Sequence, residues 1–298
     1  MGVAPLIHAA IVHFGDPAPT LRALEALLAS RKVLVHAAVV DHGPGPGVAL
    51  AQAVRDAGAL YLAPGGNLGF AGGIRCGIEA LRAQDGALGH CLFLNHDVVL
   101  EPDALGLLAA RLEAAPSPAI VGPALLDGGA PGRVWNAGSA IEWPWARPRS
   151  LQQGADAAGL PREPFEAGFV CGCVLLAARE AVDRIGLPEA SYFLYFEDAD
   201  YGCRAQRAGV RVEVDPRARA VHRAGAAAAL RPRLAAYCRA RSRILFSRRW
   251  APPGPGPRAA RWLFALRRIL RGGPDCRGAI DGLRSCGGLP PSDLFRGP

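Results

Sequence analysis

The segment LIHAAIVHFGDPAPTLRALEALLASRKVLVHAAVVD, residues 6–41, contains two short apolar runs with a helical pattern between them. The runs at 6–14 and 33–41 have the length and composition of buried strands. Between them, leucines recur at the spacing of one helical face: Leu21, Leu24, Leu27 and Leu28. A strand, a helix and a second strand in this order are typical of a parallel sheet that is covered by helices.

The same alternation continues along the chain. Further strands are predicted at 59–62, 89–97, 119–126, 168–178 and 210–216, and further helices at 47–58, 102–115 and 199–209. The segment 65–83 is predicted to be a loop that runs into a helix. The segment 127–166, rich in Gly, Pro, Arg and Trp, is predicted to be an irregular insertion over one end of the sheet. We therefore expect an α/β domain with a mainly parallel sheet at 1–230. A basic helical tail, broken at 251–257, is expected at 231–298.

Composition limits the kind of protein. The chain has 298 residues, 50% of them hydrophobic, and a net charge of +8. Residues 231–298 contain 15 Arg and 3 Asp, a net charge of +12, which leaves −4 for residues 1–230. Eight cysteines without a C-x-x-C pair favour free thiols in a reducing compartment over a disulfide framework. No basic segment precedes the first apolar run, and no apolar stretch reaches the ~18 residues of a membrane span, so we expect a cytoplasmic protein.

A glycine-rich stretch, GGNLGFAGGIRCG at 65–77, precedes a predicted helix. Free backbone N–H groups at such a turn can hold a phosphate. The alternative is that the glycines let the helix pack closely on the sheet. The stretch is neither a Walker A motif nor a Rossmann fingerprint, and no fingerprint follows the first strand, which argues against a nicotinamide-dependent oxidoreductase.

Asn95 and Asp97 lie two positions apart where a predicted strand ends. Residues at this spacing in a strand point to the same face of the sheet. Oxygen ligands in such a position suit Mg²⁺ or Mn²⁺. The alternative is that Asp97 caps a turn, which is the commoner role of an acid directly after a strand.

The stretch FLYFEDADYGCR, residues 193–204, places three carboxylates directly after a run of aromatic residues. Asp200 can pair with Arg204 four positions along a helix. Glu197 and Asp198 would be favoured near the N-terminus of that helix. Each acid therefore has a structural explanation, but the aromatic side chains have none unless they form the wall of a pocket.

The order of these motifs resembles that of the inverting family 2 glycosyltransferases, in particular their bacterial rhamnosyltransferase-like branch. The matching motifs are Asp41, NLGFAGG (67–73), Asn95-His96-Asp97, FEDADYGCRAQRAG (196–209), His222 and YCRARSR (237–243). The resemblance covers residues 5–245, and the segment 196–209 is its most specific part. It implies a GT-A fold, in which a nucleotide-sugar-binding α/β half adjoins an acceptor half.

The resemblance also implies roles for the matching residues. Asp198 would be the catalytic base, and Glu197, Asp200 and Tyr195 would form the acceptor site. Asp97 and His222 would hold Mn²⁺ or Mg²⁺. The remaining residues would bind the nucleotide sugar: Asp41, Asn67, Gly69, Phe70, Gly72, Gly73 and Asn95.

The implied reaction transfers a sugar, with inversion, from dTDP-rhamnose or a UDP-sugar to a hydroxyl of a glycan or lipid-linked acceptor in cell-envelope polysaccharide synthesis. The sequence departs from the family pattern at His42-Gly43, at Asn95-His96 and at Arg75. The alternative is a non-catalytic protein with the same fold that binds nucleotide sugars or glycans.

The tail has 12 arginines and no acid between Arg231 and Arg271. Its second half has apolar residues that can share one helical face: Trp262, Leu263, Leu266, Ile269 and Leu270. Such a basic amphipathic helix is typical of binding to an anionic membrane surface, so we expect peripheral binding at the cytoplasmic face. The alternative is that this face packs on the body. Nucleic acid is not an expected partner, because no aromatic stacking module accompanies the charge.

Overall fold

The computed structural model describes residues 4–43, 47–223 and 231–295. Its strands are β1 (Leu6–His13), β2 (Leu34–Asp41), β3 (Leu60–Leu62), β4 (His90–Asn95), β5 (Val98–Leu100), β6 (Ala119–Asp127), β7 (Val134–Asn136), β8 (Ser139–Glu142), β9 (Arg147–Ser150), β10 (Phe165–Glu166), β11 (Val174–Ala177) and β12 (Arg211–His222). Its α-helices are α1 (Pro17–Leu28), α2 (Val48–Asp56), α3 (Gly69–Asp85), α4 (Ala104–Ala114), α5 (Arg179–Ile185), α6 (Glu197–Arg207), α7 (Pro232–Trp250), α8 (Pro255–Arg271) and α9 (Gly273–Leu283).

The main sheet has the strand order β10-β12-β6-β11-β4-β1-β2-β3, with β5 and β7 paired at the side with β12 and β6. Parallel pairs join β1 to β2 and β4, β2 to β3, and β6 to β12. Strand β11 runs antiparallel between β4 and β6, so those two strands share one direction. The predicted α/β fold with a central sheet is confirmed. Four strand pairs of the main sheet are parallel and include the longest ones, and five shorter pairs are antiparallel. The carboxyl ends of β1, β2, β4, β6 and β12 therefore meet at one edge.

Two predicted strands are too long. The sequence predicts one strand over 168–178, but only Val174–Ala177 forms a strand. The first half of that stretch forms a turn, in which Gly172 donates its N–H to Asp198. The strand predicted at 89–97 ends at Asn95, because the next two residues turn towards β5. Apolar composition alone does not distinguish a strand from a buried turn.

The predicted irregular insertion at 127–166 contains β7, the β8–β9 hairpin and β10. These strands are 2 to 4 residues long, which is too short to give a periodic pattern. In the tail, α8 begins at Pro255, inside the predicted break at 251–257. Proline is tolerated there because the first turn of a helix does not need its N–H.

The main apolar core is formed by the central strands and the helices on them, including Ile11, Leu24, Ile74, Leu92 and Leu105. Gly73 allows helix α3 to approach β1, since a Cβ there would lie 2.8 Å from Val12 Cγ2. No helix within the described ranges is both long and apolar enough to cross a membrane.

Helix α7 packs on the residues that precede α6. Arg241 and Ser242, both buried, donate hydrogen bonds to the Tyr192 carbonyl at 2.9 and 3.2 Å. Ser242 also donates to the Leu194 carbonyl at 3.0 Å. Apolar contacts extend this interface: Phe193 with Leu234, Tyr237 and Cys238, and Phe196 with Phe246. The tail is thereby attached directly to the acidic stretch.

Helix α8 has its apolar face towards the outside. Its inner side is made of small residues, since Ala260 and Ala265 are buried. The five large apolar side chains are between 37% and 77% exposed: Trp262, Leu263, Leu266, Ile269 and Leu270. The alternative in which this face packs on the body is therefore wrong.

Candidate active site

A cavity of about 850 Å³ lies at the edge where the carboxyl ends of the strands meet. Strand ends contribute Val12, Asn95 and His222, and His42 follows β2 directly. Further walls come from the turn 171–173, from residues 193–198 and from helices α7 and α8. The cavity therefore brings together parts of the chain that lie far apart in sequence, including the tail.

Asp198 lies in the first turn of α6 and lines this cavity. Its Oδ2 accepts the Gly172 N–H at 3.1 Å, and its Oδ1 accepts the Ala199 N–H at 2.8 Å. Burial raises the pKa of Asp198 although these two donors act to lower it. A carboxylate with a raised pKa is a stronger base than an exposed one. Asp198 is thus fixed in orientation and suited to accept a proton.

Glu197, beside it, is 7% exposed, and its Oε2 has no hydrogen-bond partner in the part of the chain that the structure describes. Burial, and then the charge of Asp198, raise the pKa of Glu197 well above its usual value. Glu197 is the more deeply buried of the two, and the side chain of Asp198 accepts two backbone N–H groups that stabilise its charged form. We therefore assign the proton to Glu197 and the charge to Asp198.

The residues before this pair have an unusual backbone. Phe193, Tyr195 and Phe196 have φ values of 64°, 66° and 69°. Side chains rarely adopt this left-handed region, and each instance costs about 1–3 kcal/mol unless the surroundings impose it. Here the Phe70 N–H donates to the Phe193 carbonyl at 2.8 Å, and a Cβ at Gly69 would lie 2.2 Å from that carbonyl oxygen. The glycine-rich stretch therefore holds the acidic stretch in place.

Asp200 has a different role from the predicted one. It is fully buried and does not belong to the cavity lining. The predicted pair with Arg204 is present at 2.9 Å. Asp200 also accepts hydrogen bonds from the Tyr192 hydroxyl at 3.1 Å and from Trp250 Nε1 at 2.7 Å. Its placement in the acceptor site is corrected: Asp200 joins α6 to the end of α7.

Asp97 and His222 are brought together, as predicted, with Oδ1 and Nε2 3.3 Å apart. Among the described residues, Asp97 Oδ1 and His222 Nδ1 are buried without a hydrogen-bond partner. Burial acts to raise the pKa of Asp97, but the imidazoles of His222 and His96 outweigh it and lower that pKa. An ionised oxygen without a donor and a neighbouring imidazole fit a divalent cation.

Two thiols adjoin this pair. Cys173 Sγ lies 3.9 Å from His222 Nε2 and 3.2 Å from Cys171 Sγ, and it accepts from Asn95 Nδ2 at 3.4 Å. The contact with Cys171, followed by burial, raises the pKa of Cys173 well above its usual value. Cys173 is therefore a neutral thiol in the metal-free protein, and thiolate ligands favour softer ions than Mg²⁺ or Mn²⁺.

The predicted nucleotide-sugar residues are only partly in the cavity. Asn67, Gly69, Phe70 and Asn95 line it, together with Tyr195 from the predicted acceptor set. Gly72 and Gly73 belong to the packing of α3 instead. Asp41 also lies outside the cavity lining. Its carboxylate oxygens accept hydrogen bonds from the Tyr61 hydroxyl at 2.6 Å and from the Gly43 N–H at 2.7 Å.

Sequence reasoning gave no role to His42 and His96, which both line the cavity. Burial lowers the pKa of His42 to about 4 and also lowers that of His96. Both rings are therefore neutral hydrogen-bonding groups near pH 7. Their positions directly after β2 and β4 were the signal in the sequence, because ligands bind beyond such strand ends.

A second group of potential ligands, His8, His36 and Asp85, lies at the amino ends of the strands. His8 Nδ1 accepts the Gly89 N–H at 3.1 Å, so the proton of the neutral ring is on Nε2, which donates to Asp85 at 2.7 Å. A metal on Nε2 would need that proton on Nδ1, facing another donor. We therefore assign this cluster to a hydrogen-bonded network.

Comparison with known proteins supports the resemblance found in the sequence. No family model matches the chain. The curated N-acetylglucosaminyl-diphospho-decaprenol L-rhamnosyltransferase of Mycobacterium tuberculosis (strain H37Rv) is 28% identical over 232 residues. The match covers 70% of this chain and 73% of that protein. The same protein of strain CDC 1551 / Oshkosh matches equally.

Solved structures show the same architecture at low sequence identity. GalNAc-T7 with UDP, GalNAc and Mn²⁺ has a TM-score of 0.57 and 15% identity, covering 73% of this chain and 44% of its own. Mannosyltransferase PcManGT from Pyrobaculum calidifontis, with GDP-Man and Mn²⁺, has a TM-score of 0.52 and 16% identity, covering 98% and 79%. This chain thus spans less than half of GalNAc-T7. The fold is of the GT-A type, and the resemblance to rhamnosyltransferase-like family 2 glycosyltransferases is confirmed.

Proposed function

We propose that this chain transfers a sugar from a nucleoside-diphosphate sugar to a hydroxyl group, with inversion at the anomeric carbon. The observation that carries the proposal is that Asp198 and the Asp97–His222 pair line one cavity. A base for the attacking hydroxyl and a cation for the departing diphosphate are the two groups that such a displacement uses.

Asp198 would accept the proton of the attacking hydroxyl in the transition state, a contribution of roughly 10²–10⁴ in rate. The N–H groups of Gly172 and Ala199 fix the orientation of its carboxylate. Because Glu197 is assigned the proton of the pair, Asp198 alone is free to accept one. A single base and a single displacement give inversion.

Asp97 and His222 would hold the cation, and Mn²⁺ or Mg²⁺ fits such hard ligands. When bound, the cation would offset the negative charge that develops on the leaving diphosphate. The Mn²⁺ in the GalNAc-T7 and PcManGT structures supports a divalent ion. Asn95 would contribute at most a weak neutral ligand.

The donor and the acceptor are proposed from the curated relative. Its name specifies L-rhamnosyl transfer to a sugar on a diphospho-lipid. We accordingly propose dTDP-rhamnose as donor, with UDP-sugars next, and a lipid-linked glycan of the cell envelope as acceptor. Asn67, Gly69 and Phe70 would contact the donor, and Tyr195 would contact the acceptor.

A panel of nucleotide sugars with Mn²⁺ tests the donor. The true donor should raise the melting temperature above the value with its nucleotide alone and should be slowly hydrolysed, with the hydrolysis abolished by EDTA. A donor that binds but shows no metal-dependent turnover, with or without envelope lipid extract, would favour a non-catalytic binding protein.

The exposed face of α8 is proposed to bind an anionic membrane surface. At 3.6 residues per turn, its five apolar side chains span an arc of about 120°. Arg258 and Arg267 fall just outside the two edges of that arc. An apolar arc bordered by arginines fits a bilayer with anionic head groups, and each basic residue near that surface adds about 1 kcal/mol. This would place the cavity at the cytoplasmic face of the membrane, where a lipid-linked acceptor is presented.

Vesicle sedimentation tests this proposal with a matched pair of variants. Leu270 is 77% exposed on the α8 face, and Val48 is 76% exposed on α2. Leu270→Glu should weaken binding to anionic vesicles roughly tenfold, because a fully buried leucine contributes about 1.5–3 kcal/mol. Val48→Glu should bind as the unchanged protein does. Equal binding by both variants, or no binding of the unchanged protein at low salt, would exclude α8 as the membrane contact.

A further inference from the structure

Four arginines of the tail line the cavity. Arg231 lies over the ring of Phe14, and the other three share one wall: Arg239 and Arg243 from α7 and Arg268 from α8. Arg239 Nη1 donates to the Tyr195 hydroxyl at 3.3 Å, and its guanidinium lies 5.3 Å from the centre of that ring. Arg243 donates to the Trp145 carbonyl through Nε at 3.0 Å and Nη2 at 2.7 Å. These contacts hold the guanidinium groups of Arg239 and Arg243 against the wall of the cavity.

Arg243 and Arg268 share the ring of Phe264. Their Cζ atoms lie 4.3 and 5.1 Å from its centre. Two like charges on one ring repel each other, and little in the surroundings compensates them. Arg268 pairs with Asp275 at 2.7 Å. Neither Arg239 nor Arg243 makes a salt bridge with any of the described residues.

The electrostatics of Arg243 agree with this surplus of positive charge. Burial, and then the charges of Arg268 and Arg147, lower the pKa of Arg243. One carboxylate for three guanidinium groups leaves a net charge of about +2 on this wall. Arg243 and Arg268 are half-buried and Arg239 is exposed. Half-buried charge of one sign is unfavourable until a counter-ion binds. The wall is therefore suited to a ligand with at least two negative charges.

The neighbours of these arginines differ from those of the proposed donor residues. Their contacts are Tyr195, two positions before Glu197, the loop at Trp145, and Phe264 in the tail. The residues proposed for the donor and the cation lie instead at the ends of β4 and β12, at Asp97 just beyond β4, and around the start of α3. An anion on the arginine wall would thus be a second anion, separate from the donor diphosphate.

We propose that Arg239, Arg243 and Arg268 bind the diphosphate of a lipid-linked acceptor, an inference that rests on the proposed function. Guanidinium groups bind phosphate oxygens in pairs, which suits the two phosphates of such a ligand. Helix α8 carries both features that the ligand needs. Arg268 and Phe264 line the cavity, while Trp262 and Leu266 are exposed on the outside. A polyprenyl chain leaving the cavity along α8 would enter the same bilayer.

Binding of farnesyl diphosphate to the full-length chain tests the proposal by calorimetry in EDTA. EDTA removes the cation, so a diphosphate is not held at Asp97 and His222. Farnesyl monophosphate and farnesol are the comparison ligands. We expect the affinity to decrease from farnesyl diphosphate to farnesyl monophosphate to farnesol.

Arg243→Gln and Arg239→Gln should each weaken diphosphate binding about tenfold or more, since charged hydrogen bonds contribute strongly. Arg239→Gln keeps the test valid if Arg243→Gln fails to fold.

The matched control is Arg233→Gln, because Arg233 is an exposed arginine of α7 outside the cavity lining. It should leave diphosphate binding unchanged. Binding of dTDP in Mn²⁺ should be equal in all variants. Equal effects of the control and wall variants, equal binding of farnesol and farnesyl diphosphate, or parallel loss of dTDP would overturn the proposal. Donor hydrolysis is not part of this readout, so a failure of the proposed transfer reaction would be seen separately.

Discussion

Replacing Asp198 with Asn tests the proposed base most directly. The exchange keeps the size of the side chain and removes its ability to take a proton. Its structural cost follows from the two N–H donors of Gly172 and Ala199, which contact different oxygens. An amide has one oxygen, so one hydrogen bond is lost, a cost to stability of about 1–3 kcal/mol. Loss of general-base catalysis should instead lower turnover by roughly 10²–10⁴.

Two measurements separate these effects. Release of dTDP from dTDP-rhamnose reports turnover, and calorimetry with donor and Mn²⁺ reports affinity. We expect turnover to fall at least ~10²-fold while donor affinity stays nearly constant. Glu197→Gln is the matched control, because an amide resembles the protonated carboxyl that we assign to Glu197. It should retain most of the turnover.

The pH dependence gives a further check on the same residue. A base is active when ionised, so turnover should be present above the pKa of Asp198 and lost as the pH falls through it. Because burial raises that pKa, the acid limb should lie above the ordinary value of 3.8. The reasoning is refuted if Glu197→Gln is the more damaging variant, or if Asp198→Asn loses donor affinity as much as turnover.

The remaining predictions concern the cation and two structural contacts. Asp97→Asn and His222→Gln should each abolish the difference in dTDP affinity between Mn²⁺ and EDTA, and a full Mn²⁺ effect in either variant would remove that residue from the ligand set. Gly69→Ala should lower the free energy of unfolding in urea by at least about 2 kcal/mol, because its Cβ would meet a backbone carbonyl. Gly58→Ala, with a similar positive φ but open surroundings, isolates the backbone cost of about 1–2 kcal/mol and should be milder. Trp250→Phe should cost about 1.5–3 kcal/mol by removing a donor from buried Asp200, whereas Trp262→Phe on the exposed face should cost little.

Most of the sheet could be predicted from the sequence, because buried parallel strands are nearly continuous apolar runs. The position of Asp97 and His222 at one edge follows from that topology. The direction of β11 could not be predicted, since an apolar run of this length does not reveal which neighbour it pairs with. The same run also conceals the turn at Gly172 that orients Asp198.

The site itself was harder to predict where it depends on distant contacts. Asp200 has the spacing of a helical pair with Arg204, but nothing in its neighbourhood in sequence indicates Trp250. Phe193 and Phe196 were expected to form the wall of a pocket. They line the pocket, but they are largely buried against α7. Their backbones are in left-handed conformations, which no local sequence pattern predicts. The sequence reveals the positive charge of the tail, but it does not reveal that some of its arginines line the cavity.

The attachment of α7 to the acidic stretch bears on when the site forms during synthesis. Chains emerge from the ribosome with the N-terminus first, and early segments begin to fold before later ones are made. The strands through His222 precede Arg241, Ser242 and Trp250, which hold Tyr192, Leu194 and Asp200. Until those residues emerge, nothing from the tail opposes relaxation of the left-handed backbone at Phe193 and Phe196. A nascent chain would therefore contain the sheet and the N–H groups that orient Asp198 before it has the tail contacts of Tyr192, Leu194 and Asp200, so the site gains these supports late in synthesis.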